Sequence, residues 1–178
     1  MRARTRVHRA STMTLTESLA VYFAGEKSAG LVLAVIGALA LAWGGLIYRN
    51  GAGDLRGVLW PVMLVGALQL AVGVGLYART DGQVAALRAQ LDREPPAFLA
   101  AERPRMEKVQ RNFIVIEWVE VVLLVVGVAL ALGRKGSVVP WGVGAGMVVQ
   151  AGVMLAFDLL AERRGAAWLD ALRRAAGG

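Results

Sequence analysis

The stretch Glu102-Arg103-Pro104-Arg105-Met106-Glu107-Lys108-Val109-Gln110-Arg111-Asn112-Phe113-Ile114-Val115-Ile116-Glu117-Trp118-Val119-Glu120, followed by Val121 to Gly133 without a charge, decides the fold. It reads as a charged helix that runs straight from water into hydrocarbon. At 1.5 Å per residue, Asn112 to Gly133 is long enough to cross the ~30 Å apolar core of a bilayer. It carries Glu117 and Glu120 in with it. An ionisable group inside a membrane costs ~2.5 to 3.5 kcal/mol on insertion scales, so one that is kept there points to a role.

Three further charge-free stretches surround this segment. Ser28 to Tyr48 forms the first expected span and Gly57 to Ala78 the second. Gly136 to Phe157 forms the fourth, which reaches residue 161 when Asp158 and the residues after it are included. In the first span Gly30, Gly37 and Gly44 recur at sevens and stay on one helical face. In the fourth, Gly142 and Gly146 form a GxxxG pair. Small residues let helix backbones approach closely in lipid, where packing drives association, so all five glycines are expected at helix contacts. Trp60 and Tyr77 mark the two ends of the second span as an aromatic belt does.

The composition agrees with this reading. The 178 residues are 57% apolar and 19% charged, too apolar for a soluble domain, and the net charge of +7 lies beside the hydrophobic segments. Anionic lipid is therefore the expected partner and nucleic acid is not. There is no Cys, which excludes disulfides and thiolate metal sites.

The polar segments divide the chain into a basic N-terminal segment (1–27), a first hairpin (28–78, with spans 28–48 and 57–78), and a central loop (79–111). A second hairpin (112–161, with spans 112–133 and 136–161) and a basic tail (162–178) follow. Thr14 and Glu17 fit a capping box that opens a short amphipathic helix through Phe23, with Leu15, Leu19, Tyr22 and Phe23 toward the lipid surface. Arg49-Asn50-Gly51-Ala52-Gly53-Asp54-Leu55-Arg56 and Arg134-Lys135-Gly136-Ser137 read as tight turns. In the central loop, Thr80-Asp81-Gly82 is expected to start a helix that Pro95-Pro96 ends, and Pro104 to open the next. This predicts a helical hairpin lying against the bundle. In the tail, Arg163, Arg164, Arg173 and Arg174 alternate with Trp168, Leu169 and Leu172, the pattern of a basic amphipathic helix on an anionic surface.

Sixteen Lys and Arg fall in the N-terminal segment, central loop and tail, against four in the two short turns. By the positive-inside rule both termini and the central loop are expected in the cytoplasm, on the inner face of the cell membrane. Trp60, Gln69 and Tyr77 also recur at the same spacings as Trp141, Gln150 and Asp158, which hints at duplicated hairpins related by an axis along the membrane normal.

The residues suited to chemistry are few. Glu117 and Glu120 share a helical face, roughly 7 to 12 Å inside the boundary. Asp158 returns to that depth at the cytoplasmic end of the fourth span. Three gathered carboxyls can hold a proton or a cation, unless each pairs with Lys27, Arg79, Arg111 or Arg163. Gln69 and Gln150 lie nearer the midplane, as interhelical hydrogen-bonding groups or as pore-lining ones. Glu102, Arg103, Arg105, Glu107 and Lys108 are expected on a solvated face or in pairs within the helix.

His8 is the sole histidine, so a Ser-His-Asp set and a Glu-x-x-His di-iron site are excluded. No cofactor is expected, and the sequence does not decide whether a metal binds. The resulting expectation is an all-α polytopic protein: four transmembrane helices with short amphipathic cytoplasmic helices. Such small-residue seams enclose little space alone, so a homo-oligomer is expected. The leading functional class is a channel or transporter-like bundle with its ion or proton site at Glu117, Glu120 and Asp158. A second is a non-catalytic accessory, scaffold or toxin-neutralising protein, with a protein partner at the cytoplasmic loop. A third, an enzyme on lipid-like substrates, requires a pocket opening sideways to the bilayer.

Overall fold

Thr14 caps the first helix. Its backbone N–H donates to Glu17 Oε2 at 2.8 Å, and its Oγ1 accepts from Glu17 N–H at 3.2 Å, the reciprocal pair that their spacing predicts. In the computed structural model, which describes residues 14–51, 53, 56–133 and 138–177, this helix does not stop near Phe23. It continues as one element, α1 (Leu15–Arg49), and three others follow: α2 (Arg56–Arg93), α3 (Pro95–Gly133) and α4 (Val138–Ala175). Expectations for the basic segment up to Met13, His8 included, and for the Arg134–Ser137 turn fall outside the described residues, which contain no strand. All four helices are long and apolar enough to cross a membrane.

The short amphipathic helices expected on the cytoplasmic side are thus extensions of the four long ones, and each cause is local. Thr80 does not open a helix. It is buried, and its hydroxyl donates to the Leu76 carbonyl at 2.6 Å, so its polar atom is satisfied within an unbroken helix. Asp81 reaches across to Lys27 Nζ at 2.6 Å and does not cap. Pro95 occupies the first turn of α3, where its missing N–H is harmless, and Pro104 falls inside the helix. The break at Pro95-Pro96 occurs where its sequence predicts it. Between α1 and α2, Gly51 and Gly53 take positive φ values of 85° and 45°, which side-chain-bearing residues seldom adopt.

At 1.5 Å per residue these helices are roughly 50 to 60 Å long, about twice the thickness of hydrocarbon. Two halves result. The apolar half holds the four charge-free stretches. The other half, here the head, holds residues 15–27, 79–111 and 158–175. α1 packs along α2 and α3 along α4. The hairpins meet mainly through α2 and α4, while α1 and α3 scarcely touch.

The seams of the apolar half are made by small residues. A Cβ on Gly37 would fall 2.5 Å from the Leu70 backbone nitrogen, and one on Gly73 the same distance from Gly30 O. Gly127 and Gly144 make the corresponding close approach between α3 and α4. Gly44 faces Met63, and Gly142 faces Val58 on α2. Large side chains such as Leu39, Trp60, Leu64 and Leu132 point outward.

The head is packed differently. Leu19, Tyr22 and Phe23 from α1, Phe98 and Met106 from α3, and Trp168, Leu169 and Leu172 from α4 form a closed core, with Val84, Leu87 and Leu91 of α2 against it. The apolar faces expected to rest on lipid are therefore covered by one another. Four amphipathic stripes at one end of a bundle bury more apolar surface together than each does alone at an interface.

Candidate functional site

The helical period and the antiparallel return of α4 bring the acids together. Glu117 and Glu120 lie one turn apart on α3, and Asp158 lies across from them on α4, beside the Glu120 carboxyl. Glu120 is only 6% exposed, and its Oε2 is buried with no hydrogen-bonding partner among the described residues. Glu117 is half-buried, with one oxygen in the same condition. Glu162, four residues beyond Asp158 and so on the same face of α4, adds a fourth carboxyl facing Glu117. The i, i+4 spacing to Asp158 carries that signal in the sequence, where Glu162 otherwise opens the basic tail.

Among the described residues, none of the expected cationic partners pairs with Glu117, Glu120 or Asp158. Lys27 is taken by Asp81 and lies over the Tyr77 ring at 4.8 Å. Arg164 approaches Glu26 at 3.9 Å. Nor do three His, Cys, Asp or Glu side chains among these residues converge closely enough to hold a metal ion.

Gln69 and Gln150 meet at the contact between the two hairpins. Gln69 Nε2 donates to Gln150 Oε1 at 3.3 Å and lies 3.4 Å from Met154 Sδ. Both are buried, so they hold α2 to α4. Their meeting at equivalent positions of the two hairpins fits the spacing repeat, while Trp60 and Trp141, the first members of each set, both face outward.

Next to this pair lies a cleft of about 210 Å³. Pro61 and Val65 of α2 and Leu123 of α3 form its walls, Gln150 and Met154 of α4 its floor, and Glu120 its polar end. α4 lies beneath it, and α2 and α3, which flank it, make little contact with each other, so the space between them is not closed over. Its lining offers one carboxyl and one amide and no hydroxyl, thiol or imidazole nucleophile.

A second set of polar groups lies in the head, beside and within its core. Glu102, expected on a solvated face or in a pair within the helix, is 3% exposed and pairs with Arg105 three residues on. It accepts from Arg105 at 2.6 and 2.7 Å and from Trp168 Nε1 at 3.1 Å. Arg103 and Glu107 pair within the helix at 3.2 Å, as their spacing predicts. Glu26 lies just outside the first span among Arg164, Arg79 and Arg105. Burial nevertheless pushes its carboxyl above the ordinary range, against the pull of those three cations. Tyr22, buried beside it, is pushed far above its usual value, again chiefly by burial. Gly25 leaves the room that the Arg164 side chain occupies: a Cβ there would lie 2.5 Å from Arg164 Cδ. The sequence signal for this set was one acid or base per helix at one level, which is readable only once the four helices are known to be continuous.

Comparison with family models, with curated proteins and with solved structures finds no match for this chain.

Proposed function

We propose that this chain is a multi-pass protein of the inner membrane, a transporter-like or channel-like bundle in which Glu117, Glu120 and Asp158 take up and release a proton near the cytoplasmic side. Glu120 carries the reading. It is almost completely buried in the apolar half, has an unpartnered oxygen and an acid for a neighbour, and has no cation paired with it among the described residues. A charged carboxylate in that position is costly, and a proton held between Glu120 and Asp158 lowers the cost by leaving one negative charge between the two groups instead of two. A purely structural acid has no reason to be left in this state. The converging acids among the described residues do not form a metal cage, which favours a proton over a metal ion.

The positive-inside count supports a cytoplasmic head and cytoplasmic termini. The outward row on α3, with Ile114, Val115, Trp118, Val119 and Val122 exposed, is available to lipid or to a second copy, and we extend the proposal to a homo-oligomer assembled in part through it.

Proton flux into liposomes containing the purified chain tests the reading, beside Glu117→Gln, Glu120→Gln and Asp158→Asn variants matched for folding and orientation. Flux that falls about tenfold or more in Glu120→Gln, and less in Glu117→Gln, is the expected result. Flux no greater than in empty liposomes across pH and cations would overturn it and return the chain to an accessory role acting through the head.

A further inference from the structure

We propose that the cleft beside Glu120 is a binding site for a lipophilic amine: a compact apolar body that lies along α4 and presents one ammonium group to the Glu120 carboxylate. This rests on Glu120 being the working carboxyl and names the cargo class that the same site takes.

The shape comes from the sequence on α2 and α4. Near the turn end, Gly142 packs hard on Val58, within 3.1 Å of a would-be Cβ. One turn further, at Gly146, the approach relaxes to ordinary contact distances of 3.6 to 3.8 Å. Pro61 faces this point and has no N–H and a short ring. The hairpins therefore part as they run toward Glu120, and α3, which barely meets α2, leaves the gap open to the side. The floor from Gly146 to Met154 is eight helical steps, roughly 12 Å at helical rise, and is apolar but for Gln150.

The chemistry follows from what is and is not satisfied. Gln150 already accepts from Gln69. Glu120 Oε2 has no partner among the described residues and lines the cleft while 6% exposed. A neutral apolar guest would fill the slot and leave that oxygen as it is. A metal ion would find no third ligand at hand. An ammonium group supplies both the charge and the donors that Glu120 lacks, and its apolar body suits the walls. Met147 and Met154 add flexible, polarisable thioethers that adapt to guests of different outline. The volume, about 210 Å³, is below the ~300 to 1,000 Å³ of sites for drug-sized ligands, so the body is small and compact. Because the mouth faces hydrocarbon, the guest arrives from the bilayer and must partition there first.

The test uses the full chain in nanodiscs, carrying ¹³C-methyl methionine, titrated with 1-adamantylammonium and, separately, with 1-adamantanol as the uncharged control of the same shape. The expected result is a saturable shift of the Met147 and Met154 methyl signals by the amine, with Met63 unaffected. Affinity should fall at least tenfold in Glu120→Gln and in Gly146→Leu, which fills the cleft, and should be kept within a few-fold in Glu120→Asp. If Glu120→Gln fails to fold, the Glu120→Asp and Gly146→Leu pair still decides between charge and space. Equal binding of the alcohol would overturn the amine assignment. So would non-saturating shifts spread over all methionines, which indicate partition into lipid alone. Amine binding without proton flux would leave this site standing and sink the transport reading, whereas flux without amine binding would do the reverse.

Discussion

The head and the apolar half are built from the same four helices, yet different side chains hold them together. In the head, large residues do the packing: Trp168 stacks on Tyr22 at 6.3 Å between ring centroids and tilts against Phe98 at 6.5 Å. Its buried acid, Glu102, is fully engaged by Arg105 and Trp168. In the apolar half, glycines face backbone, four tryptophans point outward, and the buried acid Glu120 is left with an unpartnered oxygen. On the membrane placement proposed above, the difference is one of solvent. Water drives bulky apolar groups inward, whereas hydrocarbon gives them no reason to leave the surface, so close backbone approach must supply the cohesion. The buried acid Glu102 of the head is satisfied, although Arg164 Nε and Nη2 there find no hydrogen-bonding partner among the described residues, whereas Glu120 of the apolar half keeps an unpartnered oxygen.

The strongest way to break this contrast is Trp168→Ala. Removing a fully buried indole costs about 3 to 5 kcal/mol, and it also strips a donor from buried Glu102. Hydrogen exchange in nanodiscs should accelerate in residues 15–26, 95–110 and 162–175 and stay slow in the apolar half. Equal acceleration in both halves would mean that the long helices melt as one unit and that the two regions are not energetically separate.

Much of the fold was legible in the sequence because hydrocarbon length and helix rise leave little freedom: four charge-free stretches of about span length give four helices. The Thr14–Glu17 cap and the Pro95-Pro96 break were legible for local steric reasons. The nearness of Glu117, Glu120 and Asp158 followed from the helical period and the antiparallel return of α4. The head was not legible. Leu19, Phe98, Trp168 and Leu172 each look like the apolar face of a surface helix, and only the register among four continuous helices shows that these faces close on one another. For Glu102 the pair within the helix was legible from its spacing to Arg105, but its burial was not, since its other partner Trp168 lies 66 residues away. The cleft was invisible because it depends on where α2 and α3 diverge, which no single segment encodes.

Within the apolar half, Gly37→Leu sharpens the comparison when set against Gly75→Leu. A side chain at Gly37 meets the Leu70 backbone, while a Cβ at Gly75 meets nothing within 4 Å. Overpacking of this kind costs about 1 to 3 kcal/mol, and Gly75→Leu should be near neutral. Unfolding in mixed micelles by increasing sodium dodecyl sulfate measures both. Equal stability of the two variants would mean that close approach of α1 and α2 is not what holds this half together.

Smaller, and confined to the start of the head, is Thr14→Ala. It leaves the Glu17 N–H without its side-chain acceptor at 3.2 Å, a loss of about 1 kcal/mol. It should raise exchange only in the first turn of α1. Protection lost as far as Gly30 would show that the cap steadies the whole of α1, head and apolar half alike.

The slightest effect is expected at Glu26, where the two halves meet, and it is read in pH. Burial holds this carboxyl above its unfolded value of 4.5, while Arg164, Arg79 and Arg105 pull it down. Below pH 4.5 both folded and unfolded chains carry the proton, so Glu26 is neutral to stability. As pH rises through 4.5, the unfolded chain releases its proton first and stability falls, by at most about 1.4 kcal/mol per pH unit, until the folded carboxyl titrates in turn. Glu26→Gln removes that fall. The variant should therefore gain on the parent as pH rises from 4 and then hold a constant lead, a difference that cancels the contributions of the other carboxyls. If the parent gains on Glu26→Gln over the same range, the three arginines outweigh burial. The boundary layer then behaves like the head, with its acid paired, and the change to unsatisfied acids begins deeper, at Glu117.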